Sequence, residues 1–378
     1  MGRSRRGFLL ALALLACALP AQASAAATSP TDVPTSFWAG AQIRWSVANG
    51  WIPTRADGSF GPGRIVSRLA AARVLAAANQ LINHEPAQAD PYAQAVDAGW
   101  FAPGTGAGDT ITQLSFDRGI AHVLHLEDAA RSLLLLKNAD GWRPSLPLGF
   151  GTEQVVRDAG ARWNVPFGAD SWETWPGSTL RRANLAAQAY RLGHLSPWWQ
   201  SSVTTQLNVV NALPKYPPLK QAVIGFAFKY AAAPYIWGGT SDQPQTLFGL
   251  PAAGGFDCSG FVWWVMKERS YTVNGTTWSG NAKIQWRSTY DMAAHIPVAS
   301  RINYANLKPG DILFWSSSPH GVLTASSTVY HTGIYLGNGW TINSHGDGAG
   351  VTIDYMAPGA GWFHDAFAFG WRVMPVGV

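Results

Sequence analysis

The sequence has very little cysteine and unusually little charge. Of its 378 residues only two are cysteines, Cys17 and Cys258, and 13% are charged, against about 25% in an average protein. Two cysteines are too few for a disulfide framework, so we do not expect disulfide bonds to stabilise this fold. With 47% of the residues hydrophobic, the chain is not disordered and has material for large buried cores.

The sequence also lacks a basic stripe, a cofactor-binding loop and a metal-ligand motif. Part of the net charge of +5 comes from Arg3, Arg5 and Arg6 at the very start of the chain. What remains is too small and too scattered to indicate nucleic acid binding. The histidines of the first half do not have metal-ligand spacing. We therefore predict no cofactor, no metal and no nucleic acid partner.

Residues 1–27 have the composition of a signal peptide. A basic start is followed by a short apolar run at 8–15 and then by small residues, and the run is too short for a membrane span. Arg5 and Arg6 resemble the pair of a twin-arginine signal, while a Sec signal is the alternative. A lipoprotein cleavage site at Cys17 is the third alternative. The mature protein is therefore predicted to be secreted, associated with the cell wall or cell surface, and without a membrane span.

Residues 30–210 contain three imperfect repeats, at about 30–85, 88–145 and 150–205. Each has the pattern of a helix, a turn, a loop and a second helix. Arg68, Arg118 and Arg182 lie at similar distances after a small or polar residue, 18 positions in the first and third repeats and 19 in the second. This half is therefore predicted to be a mostly α-helical repeat domain.

These repeats resemble the S-layer homology module, which occurs in threes and holds exported proteins on the cell wall. The Thr-Arg-Ala-Glu motif of that family is matched only loosely, since the arginine alone is present in each repeat as we align them. The resemblance implies that Arg68, Arg118 and Arg182 bind an anionic secondary cell-wall polymer, which suits a guanidinium that pairs with carboxylates. The alternative is that these arginines pair with a helix end or a neighbouring acid.

Residues 211–218 are rich in proline and mark the predicted boundary to a second domain, 212–378. In this domain Cys258 follows a glycine-rich loop and starts an apolar helical run. The positive end of a helix dipole favours the thiolate, which is the nucleophilic form of cysteine. A buried structural cysteine is the alternative interpretation. Later segments have the pattern of antiparallel strands, so the predicted class is α+β, with helices packed on an antiparallel sheet.

A catalytic thiol needs a base, and the base needs a third group that orients it. His331 lies on one predicted strand and Asn343 on the next, joined by a hairpin with Asn338 and Gly339 at its tip. Pairing of these strands brings the imidazole and the amide close together. His345 and Asp354 are rivals of Asn343 for the third position.

Four motifs in order resemble the NlpC-type papain-like cysteine peptidases of bacterial cell walls. They are Pro-Tyr-x-Trp-Gly-Gly from position 234, Asp-Cys-Ser-Gly-Phe from 257, Pro-Gly-Asp-Ile-Leu-Phe-Trp from 309 and His-x-Gly-Ile-Tyr-Leu-Gly-Asn-Gly from 331. The resemblance implies a papain-like fold and hydrolysis of peptidoglycan stem peptides, usually between γ-D-glutamate and a diamino acid. It implies Cys258 as nucleophile, His331 as base and Asn343 as orienting group, with no metal. It also implies five substrate-binding residues, which are Tyr235, Asp257, Ser259, Arg287 and Ser288.

Two segments depart from the family pattern, because residues 240–256 are longer than usual and residues 316–330 form a Ser- and Thr-rich loop before His331. Both are predicted to border the cleft. Two other functions stay open. One is an amidase or acyltransferase reaction on the same fold, and the other is a non-enzymatic wall-anchoring protein.

Overall fold

A computed structural model describes residues 30–318, 326–346 and 348–375. The predicted signal segment, with Arg5, Arg6 and Cys17, lies outside these residues, as does part of the 316–330 loop. Among the described residues, no helix is both long enough and apolar enough to cross a membrane.

The described part of the N-terminal half is helical, as predicted. Its α-helices are α1 (Gly40–Ala48), α2 (Arg68–Asn83), α3 (Pro91–Asp97), α4 (Gln113–Val123), α5 (Glu127–Leu133), α6 (Phe150–Asp158), α7 (Arg182–Leu192) and α8 (Trp199–Leu207). Short 3₁₀ turns follow at Asp170–Trp172 and Asn208–Asn211.

Six of these helices form three helix–loop–helix pairs, α1–α2, α3–α4 and α6–α7, arranged in a ring. The first helix of each pair packs on the second helix of another, α3 on α2, α6 on α4 and α1 on α7. At the centre, three backbone amides donate in a cycle. Val66 N donates to Leu180 O at 2.9 Å, Leu180 N to Ile111 O at 2.9 Å, and Ile111 N to Val66 O at 3.3 Å. The three units are therefore structurally equivalent around this centre.

This cycle corrects the alignment of the second repeat. Because Val66, Ile111 and Leu180 are equivalent, the residue that matches Arg68 and Arg182 two positions later is Gln113. Arg118 lies further along α4, so the prediction of an arginine at the same place in all three repeats is wrong. The alignment relied on the similar distance of each arginine from a small or polar residue. That distance was misleading because the loops between the paired helices differ in length.

A buried ion cluster fills the space beside Gln113. Arg162 donates to the carboxylates of Asp117, at 3.0 Å, and Glu153, and to the carbonyl of Thr174. Gln113 donates to both oxygens of Asp117 at 2.9 Å. Burial, and then the charge of Glu153, raises the pKa of Asp117 to about 8. Breaking such a cluster would leave a buried charge without a partner, so it ties α4 to α6.

The described C-terminal half combines four helices with an antiparallel sheet. The helices are α9 (Pro218–Phe228), α10 (Cys258–Met266), α11 (Thr289–His295) and α12 (Trp362–Asp365), with 3₁₀ turns at Val298–Ser300, Tyr304–Asn306 and Ser326–Thr328. The strands are β1 (Thr240–Ser241), β2 (Gln245–Leu247), β3 (Leu250–Ala252), β4 (Gly255–Phe256), β5 (Tyr271–Val273), β6 (Thr276–Trp278), β7 (Arg301–Ile302), β8 (Ile312–Ser316), β9 (Val329–Gly337), β10 (Trp340–His345), β11 (Gly350–Tyr355) and β12 (Phe367–Trp371).

The main sheet has six strands in the order β11-β10-β9-β8-β12-β7, and every pair is antiparallel. Helix α10 packs against β9 and β10. The hairpin from β9 to β10 turns at Asn338 and Gly339, both with positive φ, as the sequence predicts. The predicted α+β class, with helices packed on an antiparallel sheet after a helical domain, is confirmed.

The two halves pack tightly against each other, and the buried apolar side chains of both form one continuous cluster. Within the predicted boundary segment, Tyr216 is buried and its hydroxyl donates to the carbonyl of Leu336 at 2.8 Å. Across the interface, the Gln154 amide donates to Ile353 O at 3.3 Å and accepts from Ile353 N at 3.2 Å. The boundary segment is therefore a packed connection and not a free linker.

Candidate active site

Helix α10 places Cys258 at its first turn because the preceding residue caps it. The carboxylate of Asp257 accepts from the amide of Gly260 at 2.5 Å, which satisfies one of the unpaired amides of the first turn. A Cβ on Gly260 would lie 1.9 Å from the carbonyl oxygen of Gly239. Only glycine therefore allows the start of α10 to lie against the 238–239 backbone.

Cys258 is 8% exposed, and its sulfur lies 3.3 Å from the hydroxyl oxygen of Thr289. Burial raises the pKa of the Cys258 thiol to about 11, and the charge of Asp257 adds to the rise. Hydrogen bonds from Thr289 and the backbone amide of Thr332 act in the opposite direction. Burial therefore opposes the effect of the helix dipole, which favours the thiolate.

His331 lies on β9, next to Thr332, and is 5% exposed. Burial lowers the pKa of His331 to about 3, and neighbouring His345 lowers it further, although the hydrogen bond with Asn343 opposes both. The imidazole is therefore neutral at pH 7. A neutral imidazole beside a protonated thiol is a pair in which the imidazole is free to accept the thiol proton.

Asn343 on β10 is fully buried, and its Oδ1 lies 2.9 Å from His331 Nε2. The two residues sit diagonally across the strand pair, since Ile334 is opposite Ile342. Gly333 lies between them, and a Cβ there would come within 2.7 Å of Asn343 Cβ. The missing side chain at Gly333 therefore allows the imidazole and the amide to meet.

The other two candidates for the group that orients His331 contact the site in different ways. The ring of His345 meets the ring of His331 edge to face, with centroids 5.3 Å apart. Asp354 on β11 lies behind Asn343 and accepts from its amide nitrogen at 2.9 Å. Of the three candidates, Asn343 is the one whose polar atom meets the imidazole nitrogen.

The five predicted substrate-binding residues line one cleft with Cys258, with a volume of about 450 Å³; they are Tyr235, Asp257, Ser259, Arg287 and Ser288. Three of them bond to each other. Arg287 donates to Ser259 Oγ at 2.6 Å and to Asp257 at 3.1 Å, and Ser259 donates to Asp257 at 3.0 Å. Ser288 caps α11 by accepting from Asp291 N at 3.0 Å. These polar groups form the structured wall of the cleft.

An aromatic rim that was not predicted from the sequence surrounds this cleft. Trp237, Phe248, Tyr290 and Tyr330 line the cleft and are exposed. Phe167, from the helical half, contacts Trp237 and Phe248 with centroids 6.4 and 6.0 Å away. The long 240–256 segment forms the β2–β3 hairpin that carries Phe248. The sequence signals for this rim were the extra length of this segment and the 316–330 loop, which carries Tyr330.

The helical half also supports the cleft through Asn164. The amide nitrogen of Asn164 donates to the carbonyl of His345 at 3.3 Å, and its oxygen accepts from Tyr235 N at 3.4 Å. Arg157 donates to the carbonyl of Gly348 at 2.7 Å. Backbone on both sides of the cleft is therefore held by side chains from the other half of the protein.

The three arginines predicted to bind a wall polymer lie in different environments. Arg182 donates to the carbonyls of Phe60 and Pro53, both at 2.8 Å. The guanidinium of Arg68 lies over the ring of Phe101, 5.6 Å from its centroid. Arg118 is exposed and lines a separate cavity with His122. They do not form one site, and their binding of polymer stays a prediction.

In the described residues, no cluster of three or more His, Cys, Asp or Glu side chains is arranged to hold a metal ion.

Residues 232–367 match the model of the NlpC/P60 family, so the C-terminal half carries an NlpC/P60 domain. The bifunctional muramidase/DL-endopeptidase CwlT of Bacillus subtilis is 29% identical over 185 residues, 47% of this chain and 46% of that protein. The murein DD-endopeptidase MepH of Escherichia coli is 32% identical over 124 residues, 33% of this chain and 35% of that protein. The chain thus spans less than half the length of these relatives. An NlpC/P60 family protein from Bacillus cereus of known structure is 24% identical, with a TM-score of 0.29 and 42% coverage of both chains.

The raised pKa of Cys258 and the lowered pKa of His331 predict how the thiol responds to pH. With a thiol pKa of about 11, alkylation by iodoacetamide should rise about tenfold per pH unit from pH 7 and level off only near pH 11, because the thiolate is the reactive form. The rate is measured by mass spectrometry of the Cys258 peptide. A rate that is already level from about pH 5 would mean a thiolate–imidazolium pair at rest and would contradict the neutral pair.

Proposed function

We propose that this protein is an exported peptidoglycan hydrolase that cleaves stem peptides at the bond between γ-D-glutamate and a diamino acid. The observation that carries the proposal is the pair of His331 and Asn343 on the two strands against which the helix of Cys258 packs, with Cys258 lining an open cleft. The NlpC/P60 match and the endopeptidase names of the relatives support the choice of substrate.

The proposed reaction is acyl transfer through the thiol. His331 accepts the proton of Cys258 as the sulfur attacks the γ-glutamyl carbonyl, so a neutral pair becomes charged only as the new bond forms. The backbone amide of Cys258, with the hydroxyl of Tyr235, stabilises the oxyanion. His331 then gives its proton to the leaving amine, and the C–N bond breaks. Water, deprotonated by His331, hydrolyses the thioester and releases the thiol.

The neutral resting pair fits this reaction in one further respect. Because burial keeps both groups uncharged, a substrate that closes the cleft does not have to desolvate a charge before the reaction begins. The same groups would also serve an amidase or an acyltransferase, which differ in the acyl donor or acceptor. A non-enzymatic binding protein would have no use for a thiol and an imidazole arranged in this way.

Replacing Cys258 tests the proposal. We expect Cys258→Ala to lower the release of stem-peptide fragments from purified sacculi by roughly a thousandfold or more, because the variant has no nucleophile. Mass spectrometry of diaminopimelate- and lysine-type digests should show new free amino groups on the diamino acid. Thr277→Ala, on the exposed β5–β6 hairpin, is the matched control. Cleavage at the lactyl link would identify an amidase, and full activity of Cys258→Ala would contradict the thiol mechanism.

We also propose that the helical half holds the enzyme on the wall. The ring of three equivalent helix–loop–helix units supports the resemblance to a module that occurs in threes. Because Arg68 and Arg182 already have contacts within the domain, Arg118 is the arginine most available to an anionic polymer.

Sedimentation with sacculi tests this anchoring. The full chain carrying Cys258→Ala, which leaves the wall uncut, should sediment with intact sacculi and be released when the anionic secondary polymer is removed with acid. Arg118→Ala should weaken retention severalfold more than Arg73→Ala, an exposed arginine on α2. Equal retention on stripped sacculi would show that polymer binding is not the function of these repeats.

A further inference from the structure

The orientation of the Asn343 side chain decides whether His331 can act as a base. A carboxamide has an acceptor oxygen on one side and a donor nitrogen on the other. Only the orientation with Oδ1 toward His331 lets the amide accept a hydrogen bond from Nε2–H. That tautomer leaves Nδ1 without a proton and so able to accept one. The reversed amide would require the proton on Nδ1, where it blocks proton transfer from the thiol.

Asp354 has the position and the chemistry to enforce the productive orientation. Its Oδ2 accepts from the amide nitrogen of Asn343 and from the hydroxyl of Thr352, both at 2.9 Å. Asn343 is fully buried and Asp354 is 7% exposed. An ionised carboxylate can only accept hydrogen bonds, so turning the amide over would place two oxygens against each other in a buried site, which is costly.

The other oxygen of this carboxylate is held from the helical half. Gln206, on α8, donates to Asp354 Oδ1 at 3.3 Å. Helix α6 borders the same region, where Asp158 accepts from the amide of Gln154 and carries a pKa raised by burial and by the charge of Asp354. A line of contacts therefore runs from the imidazole through Asn343 and Asp354 into the helices of the other half.

We propose that Asp354 is a positioning residue that fixes the Asn343 amide with its oxygen toward His331, and that the helical half supplies Gln206 to hold it. This inference rests on the proposed function, because it assigns Asp354 a role in the thiol reaction. It also gives the helical half a part in catalysis besides any attachment to the wall.

Opposing effects act on the pKa of Asp354, and their net direction is upward. Burial raises the pKa of Asp354, and the nearby Asp158 is its acidic neighbour. Opposing the rise are His345 and the hydrogen bonds from Thr352, Asn343 and Gln206. The geometry nevertheless fits an acceptor, because three donors converge on this carboxyl and each of their hydrogen bonds favours its ionised form.

The test is a double-mutant cycle between Asp354 and Asn343. In Asp354→Asn the new side chain is an amide, which has both an acceptor oxygen and a donor nitrogen. It can therefore pair with Asn343 in either orientation and no longer forces one of them. We expect kcat for stem-peptide cleavage to fall roughly 10- to 100-fold, as for other groups that orient a reactive side chain, with KM changed less than about twofold. In the Asn343→Ala background the same change should cause no further loss, since Asp354 then has nothing to orient.

A second readout does not depend on substrate. The ¹⁵N shifts of His331 at pH 7, where the imidazole is neutral, report which ring nitrogen carries the proton. We expect the Nε2–H tautomer in the unaltered protein and a mixture with Nδ1–H in Asp354→Asn. An unchanged tautomer, or an equal loss of kcat in both backgrounds, would overturn the proposal. If the unaltered protein cleaves no stem peptide, the proposed function is wrong. The tautomer of His331 then still tests whether Asp354 orients Asn343.

Two further variants separate positioning from stability. Asp311→Asn removes a carboxylate that is equally buried but pairs with Arg372, at the other end of β8 from the site. It should lower the melting temperature without altering kcat or the tautomer. If Asp354→Asn does not fold, Gln206→Ala takes its place, with a smaller loss of kcat, severalfold, that again disappears in the Asn343→Ala background. A loss that persists there would contradict the proposal.

Discussion

The removal of Cys258 and His331 from water is the constraint on which the site depends. Burial is the largest cause that moves the two pKa values apart, upward to about 11 for the thiol and downward to about 3 for the imidazole. Both groups are consequently neutral over the physiological range, although a cysteine at a helix start is often a thiolate. In the proposed reaction, charge therefore develops only as the sulfur attacks, and the groups around the site stabilise that charge and not a resting ion pair.

A site of this kind requires its orienting groups to be held firmly, and the protein does this across two domains. Asn343 meets His331 because Gly333 leaves room, and Asp354 meets Asn343 from the next strand. The helical half adds Asn164 behind Tyr235 and Gln206 on Asp354. The cyclic hydrogen bonds at the centre of its ring join its three helix–loop–helix units to one another.

Local patterns in the sequence were sufficient to single out the three residues of the proposed catalytic set. Cys258 stands at the junction of a glycine-rich loop and an apolar helix, and the Asn338–Gly339 turn fixes the pairing that brings His331 to Asn343. Phe167, Asn164 and Gln206 escaped prediction because their partners lie far away along the chain. The raised pKa of Cys258 could not be predicted from the sequence, because burial is a property of the fold. The sequence alignment of the repeats chose Arg118 instead of Gln113, because loops of different length obscured which positions are equivalent.

The most direct test of the account is to trap the acyl-enzyme. The protein is mixed with a γ-D-glutamyl–diamino acid peptide, quenched in acid within the first turnover and analysed by intact-mass and peptide mass spectrometry. A covalent thiol mechanism predicts an adduct on Cys258 with the mass of the γ-glutamyl portion of the peptide. This adduct should form at the rate at which the free diamino acid product appears. Release of that product with Cys258 unmodified at every quench time, and with no burst of product, would contradict a covalent thiol mechanism.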